Sequence, residues 1–199
     1  FMISGGTGTG KTSILATMLG LVDERERVLI VEDSGELAPT HPHLVRLEAR
    51  QPNTEGVGAV SMAQLVRQAL RMRPDRVVVG EVRGAEVVEL LTALNTGHEG
   101  GCGTIHANAA ADVPARLEAL GLLAHLDRDA IHALIGAALH VVIALDRRED
   151  GIRRVATINV ISLNGERVRA DVALDFTREH VQKGPGFDAL VSLLGEHAP

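Results

Sequence analysis

Short apolar runs, each closed by a turn signal, recur along the first 145 residues: Phe1–Ser4, Val28–Glu32, Val77–Glu81, Gly103–His106 and His140–Leu145. Runs of this length without alternation predict strands buried on both faces, mainly parallel. Between them, apolar residues return at helical spacing. Thr12–Val22 predicts a helix directly after the first strand, and Met62, Leu65, Val66, Ala69 and Leu70 mark a second. Val87, Leu90, Leu91 and Leu94 mark a third, which stops at Thr96-Gly97. Asp112 is placed to cap a helix carrying Leu117 and Leu120, and Asp127 or Asp129 one carrying Ile131, Leu134 and Ile135. Strands alternating with helices predict an α/β fold in which helices cover both faces of the sheet.

Near residue 146 the period changes. Val155–Leu163 and Val168–Leu174 alternate apolar and polar residues around Asn164-Gly165, a strong hairpin signal. Gly184-Pro185-Gly186 then breaks the chain ahead of a last helix near Asp188–Leu194. The expected organisation is a core over residues 1–146 and a hairpin-and-helix appendage over 147–199, in the same domain or as a small subdomain.

Composition narrows the classes. The chain has 199 residues, 45% of them hydrophobic and 23% charged, enough apolar content for a buried core. The net charge of -6 and the absence of Trp and Tyr beside only three Phe argue against direct nucleic-acid binding. A single Cys102 excludes an intramolecular disulfide and a multi-cysteine zinc site, and it fits a reducing cytoplasm. No run approaches the roughly 18 consecutive apolar residues of a transmembrane segment. Phe1 is not an initiator residue and little precedes the first glycines, so the chain is expected to be the C-terminal part of a longer protein.

The chemistry starts at Gly5-Gly6-Thr7-Gly8-Thr9-Gly10-Lys11-Thr12, a complete phosphate-loop pattern between a strand and a helix. Its glycines let backbone N–H groups turn to one point, where the helix N-terminus adds partial positive charge. Thr7, Gly8, Thr9, Gly10, Lys11, Thr12 and Ser13 are the expected ATP-binding residues. Lys11 would reach the β- and γ-phosphates, and the Thr12 hydroxyl would ligate Mg²⁺. Two strands end in acids: Val28–Glu32 runs into Asp33 with Glu36 following, and Val77–Gly80 runs into Glu81. Acids at the carboxyl ends of parallel strands face the ligand crevice, where they can hold Mg²⁺ or polarise attacking water. The extra strand between the P-loop helix and the Glu81 strand predicts a RecA-like sheet.

His106 ends the strand after Glu81 and is the candidate for contacting the γ-phosphate. A metal shared by His98 and His106 is the alternative, but two histidines without a third ligand make a poor zinc site. Arg67 and Arg71 share a helix face ahead of Arg73-Pro74, whereas Arg83 and Arg116 stand elsewhere. Arginines often neutralise phosphate in the transition state, frequently from a neighbouring subunit. For any single one, a surface ion pair is the simpler account.

The glycine loop, Val31–Glu36, Arg71–Gly84 and Asn95–Asn108, in this order, resemble the type II/type IV secretion ATPase superfamily, most closely its Tad (Flp pilus) assembly branch. The resemblance implies that Glu36 is the last acid of the Asp box and a catalytic glutamate. It makes Glu81 the atypical Walker B residue, a catalytic group and Mg²⁺ site, and it makes His98 and His106 members of the His box. Arg67, Arg71 and Arg73 fall where the family carries arginines near the nucleotide, and Arg71 is the expected catalytic one. Such proteins are homohexameric ATPases at the cytoplasmic face of the inner membrane. They work with inner-membrane platform proteins in pilus assembly, secretion or DNA transfer. The family's N-terminal domain, which closes over the nucleotide, and the tetracysteine zinc module of the general secretion branch are absent from this chain. A RecA-like DNA motor and a nucleotide-dependent regulator of septation are the alternatives; negative charge disfavours the first, and intact Lys11, Glu36 and Glu81 the second.

Overall fold

The computed structural model describes residues 1–98, 100–148 and 150–196. Among these residues nine strands form one sheet in the order β3-β2-β4-β5-β1-β6-β7-β8-β9. They are β1 (Met2–Ser4), β2 (Val28–Glu32), β3 (Leu44–Glu48), β4 (Arg76–Val82), β5 (Cys102–Ile105), β6 (Val141–Arg147), β7 (Arg153–Asn164), β8 (Arg167–Asp175) and β9 (Gln182–Lys183). The first six are mutually parallel, and the rest extend the sheet antiparallel from β6. The hairpin after residue 146 is therefore an outward continuation of the same sheet.

Among the described residues six α-helices cover it: α1 (Lys11–Leu19), α2 (Met62–Arg71), α3 (Glu86–Leu94), α4 (Val113–Leu123), α5 (Arg128–Ala138) and α6 (Phe187–Glu196). Leu15 and Leu19 of α1 pack with Ile3, Val28, Ile30 and Val78 on one face. Alternate residues Met2, Leu29, Val31, Val77 and Val79 face the other way, into a larger core with α2 to α5. Leu190 of α6 closes over Val160 and Ala173 of the antiparallel part. Period-two alternation of side chains across the sheet is what divides a fully buried strand such as β2 between two cores.

Local sequence sets the ends. Ser61 accepts a hydrogen bond from the Gln64 amide while Gln64 Oε1 accepts from the Ser61 amide, a capping box that starts α2. Asp127 caps α5 by accepting from the Ala130 amide at 2.8 Å. Asp112 does not cap α4 with its side chain; its carboxylate accepts from the Ala109 amide, across a 3-10 turn (Ala110–Asp112) leading into α4. The hairpin turn is Gly165-Glu166, since Asn164 and Arg167 are paired as the last strand residues. Strand β3 was not expected from the sequence. It is a half-exposed edge strand paired only to β2, so its apolar content is diluted by Arg46 and Glu48.

Among the described residues no helix is long and apolar enough to cross a membrane. The antiparallel extension is fastened to the helical layer by a buried polar clasp. The Val168 amide donates to His132 Nδ1 at 3.1 Å, which leaves Nε2 to donate to Glu118 Oε2 at 2.9 Å. Arg128 and Arg167 pair with the same Glu118 carboxylate.

Candidate active site

A cleft of about 630 Å³ lies at the carboxyl ends of the parallel strands. Thr7, Gly8, Gly10, Lys11, Thr12 and Ser13 line it from the glycine loop, and Glu32, Asp33, Ser34 and Glu36 from the end of β2. Gly80, Glu81 and Arg83 enter from β4, Thr104 and His106 from β5, Arg116 from α4 and Arg153 from β7. In the sheet, β5 lies between β1 and β4, which brings His106 between the glycine loop and Glu81.

The loop turns into α1 at Gly10, whose φ of 95° and ψ of 21° are left-handed and favour glycine. Lys11 Nζ donates to the carbonyls of Gly5 at 2.9 Å and Gly6 at 3.1 Å, so the ammonium is held over its own loop. Burial draws its pKa below the usual lysine value; Glu81 and Glu36 oppose that shift and Arg83 adds to it. Thr9 points inward, its hydroxyl donating to the Gly6 carbonyl at 2.9 Å, and it does not line the cleft.

Glu32 is buried and its Oε1 accepts from the amides of Leu37 at 2.9 Å and Glu36 at 3.2 Å. Burial pushes its carboxyl above the usual range, and those two amides pull it back. Its consequence is positional: it folds the loop after β2 so that Glu36 stands exposed in the cleft. Glu81 reaches the cleft through a bulge. Val77, Val79 and Val82 all pack in one core, and pairing with β5 slips between Val79 and Val82, so one extra residue occupies Gly80-Glu81. A bulge re-aims the side chain that follows it. Gly80 is required by close approach, because a Cβ there would stand 2.6 Å from Glu32 Cγ. Thr104 Oγ1 donates to the Gly80 carbonyl at 2.6 Å, and Arg83 pairs with Glu81.

The strand order separates the two histidines. His98 precedes β5 and His106 follows it, so they lie at opposite ends of the strand and cannot share a metal. Among the described residues no cluster of three His, Cys, Asp or Glu could hold a metal ion. Glu99, in the same motif, lies outside the described residues.

Arg71 is not brought into this cleft. It ends α2, which leads into the start of β4, and roughly 16 Å of strand at about 3.3 Å per residue separates that start from Glu81. Arg73 is exposed at the same end, and Arg67 pairs with Glu89 of α3 at 2.5 Å. The arginines the cleft holds are Arg83, Arg116 and Arg153. The first two follow strands β4 and β5, a signal readable in the sequence; Arg153, past the change of period, was not singled out there.

With this geometry in place the relatives are informative. Residues 1–159 match the family described as Type II/IV secretion system protein, and the chain belongs to that family. It is 57% identical, over 189 residues, to a putative conjugal transfer protein of Mycobacterium tuberculosis, covering 95% of this chain and 52% of that protein. It is 36% identical over 169 residues to the conjugal transfer protein TrbB of Rhizobium radiobacter, covering 83% of this chain and 49% of that one. The crystal structure of the VirB11 ATPase from the Brucella suis type IV secretion system, in complex with sulphate, superposes with a TM-score of 0.69 at 27% identity. It covers 79% of this chain and 46% of the VirB11 chain. The chain thus spans about half the length of the curated relatives it matches.

Proposed function

We infer that this chain is the ATP-hydrolysing core of a secretion-type motor, an ATPase that converts ATP and water to ADP and phosphate. One observation carries the reading: Lys11 and Thr12 of the glycine loop and the sequence-distant Glu36, Glu81 and His106 line one cleft at the carboxyl ends of parallel strands. The donor set fits ATP and Mg²⁺, with the glycine loop and Lys11 for phosphate, and the Thr12 hydroxyl and Glu81 carboxylate for the cation. Bound Mg²⁺ would neutralise charge on the β- and γ-phosphates. Glu36, exposed in the cleft, is the group to take a proton from attacking water. Glu81 is restrained by Arg83, and His106 follows the strand between them and the loop, a position that supports its assignment as the γ-phosphate contact.

The full protein is proposed to work as a homohexamer, peripheral to the cytoplasmic face of the inner membrane, on platform proteins of an envelope machine. Its motif set favours Tad (Flp) pilus assembly. The conjugal-transfer names of its relatives favour a second reading, a DNA-transfer ATPase. Cells carrying Lys11→Ala at the native locus separate the two, by loss of surface filaments or by loss of DNA transfer.

The activity itself is tested by nucleotide binding and phosphate release. Lys11→Ala is expected to abolish ATP binding. Glu36→Gln is expected to bind ATP like the parent and to hydrolyse it about 100-fold or more slowly, the usual weight of a positioned base. A parent chain that binds no ATP, or undiminished turnover in Glu36→Gln, overturns the reading.

A further inference from the structure

The β6–β7 hairpin stands on the flank of the glycine loop away from Glu36 and Glu81, since β6 adjoins β1 on the side opposite β5 and β4. Strand β6 pairs with β1 only as far as Ser4 with Ala144. It then runs on through Leu145, Asp146 and Arg147, past the point where the chain turns into the loop. In the β6–β7 ladder Arg147 is the direct partner of Arg153. Directly opposed residues share a face with their Cβ atoms about 4.5–5.5 Å apart, and like charges there repel.

Both side chains are directed at the loop. A Cβ built on Gly8 would stand 3.7 Å from Arg147 Nη1, and one on Gly10 would stand 3.4 Å from Arg153 Cδ. Arg153 also lines the cleft. The neighbouring Arg154 turns the other way, to Asp146 Oδ2 at 3.5 Å and the Thr177 carbonyl at 3.3 Å. Opposed guanidinium groups above a loop shaped for anions carry a repulsion that an anion between them would offset.

On the nucleotide reading above, we propose that Arg147 and Arg153 form a cationic clamp on the polyphosphate of the bound nucleotide, gripping its α- and β-phosphates. The γ-phosphate end belongs to Glu36, Glu81 and His106 on the other flank. The clamp thus acts on ATP and ADP alike, and it ties nucleotide occupancy to the antiparallel extension of the sheet.

Calorimetric titration of the chain with ATP, ADP and inorganic pyrophosphate tests this in the parent, Arg147→Ala, Arg153→Ala, the double variant and Arg153→Lys. Each alanine is expected to weaken all three anions about tenfold, the weight of one charged hydrogen bond, and Arg153→Lys to recover part of that loss. Thermal melts without nucleotide should show the alanine variants at or above the parent Tm, because a like-charge pair has been removed. A double variant within twofold of the parent overturns the clamp. A loss for ADP without one for pyrophosphate places the arginines on the base and overturns it too, as does a loss confined to ATP or a fall in nucleotide-free Tm. A parent that binds no nucleotide refutes the ATP reading itself, a different result from a parent that binds and variants that match it.

Discussion

The two ends of the parallel strands carry similar polar residues and use them differently. At the carboxyl end Lys11, Glu36, Glu81, His106 and Arg116 converge on one cleft, reached through left-handed Gly10 and the bulge at Gly80-Glu81. At the amino end most charges pair locally or face solvent, although Arg27 Nε and His98 Nδ1 are buried without a hydrogen-bond partner among the described residues. Arg76 binds Glu26 and donates to the Gly100 carbonyl, and Asp75 Oδ2 accepts from the Arg27 amide at 2.6 Å. Arg71 and Arg73 are exposed. The cleft end concentrates irregular backbone and closely opposed charges, while the other end pairs most of its charges locally. Arg71 and Arg83 therefore sit at opposite ends of β4 despite their nearness in sequence, because one precedes the strand and the other follows it.

Matched glycine substitutions put the largest strain on that contrast. At the cleft end, a Cβ on Gly80 meets Glu32 Cγ at 2.6 Å and Oε1 at 2.9 Å, on a side chain that is buried and held by two amides. Gly80→Ala is expected to cost about 1–3 kcal/mol, the range for overpacking, and to loosen the loop bearing Glu36. At the other end, a Cβ on Gly100 meets Arg76 Cζ at 2.7 Å and Cγ at 3.2 Å, on a half-buried side chain that gives way only by loosening its pairing with Glu26, an ion pair worth about 0–1 kcal/mol where solvent reaches it. Gly100→Ala should cost less than half as much in urea denaturation. Equal costs would show that both ends are equally rigid and would remove the distinction.

The same contrast explains what was legible in the sequence. Helices with clear periodicity, such as α2 and α5, could be read directly, as could the apolar runs Val28–Val31 of β2 and Val77–Val79 of β4. That the glycine loop, Glu36, Glu81 and His106 meet in one cleft was readable because each lies at or just past the carboxyl end of a strand, and carboxyl ends of parallel strands share one edge. Arg71 was placed near the nucleotide by motif order, without reference to the end of the sheet at which α2 delivers it. Arg153 was invisible for another reason. Its opposition to Arg147 depends on a register slip between Ala144 and Leu145, a tertiary property with no local signature. β3 escaped because an edge strand with one solvated side needs little apolar content.

A smaller effect is expected where polar groups are buried outside the cleft. Glu118 accepts from His132 and is flanked by Arg128; the His132 hydrogen bond, first among these, holds its carboxyl below the usual range. A carboxyl whose pKa is depressed on folding adds stability above its unfolded value, and that contribution disappears as pH falls through the folded value. Glu118→Gln should therefore lower Tm by about 2–4 °C at pH 7, and the gap to the parent should close as pH drops below the ordinary carboxylate range. Affinity for ADP should stay within twofold, since the clasp ties α4 and α5 to β8 and Glu118 does not line the cleft. A gap that persists unchanged at pH 3 would show that the carboxylate charge contributes nothing.

The smallest effect is the most discriminating. Arg71 is exposed at the end of α2, one strand length from the cleft of its own chain. Arg71→Ala is expected to leave both Tm and ATP affinity of the isolated chain within error, because an exposed arginine without a buried contact is worth little. The same substitution in the assembled full-length protein asks a separate question. If a neighbouring copy presents its cleft to this end of the sheet, turnover per site should fall only under conditions of assembly, and mixing Arg71→Ala with Glu36→Gln subunits should restore part of the activity. A loss of ATP affinity in the isolated chain would instead mean that Arg71 reaches its own nucleotide, which the order of α2 and β4 does not permit.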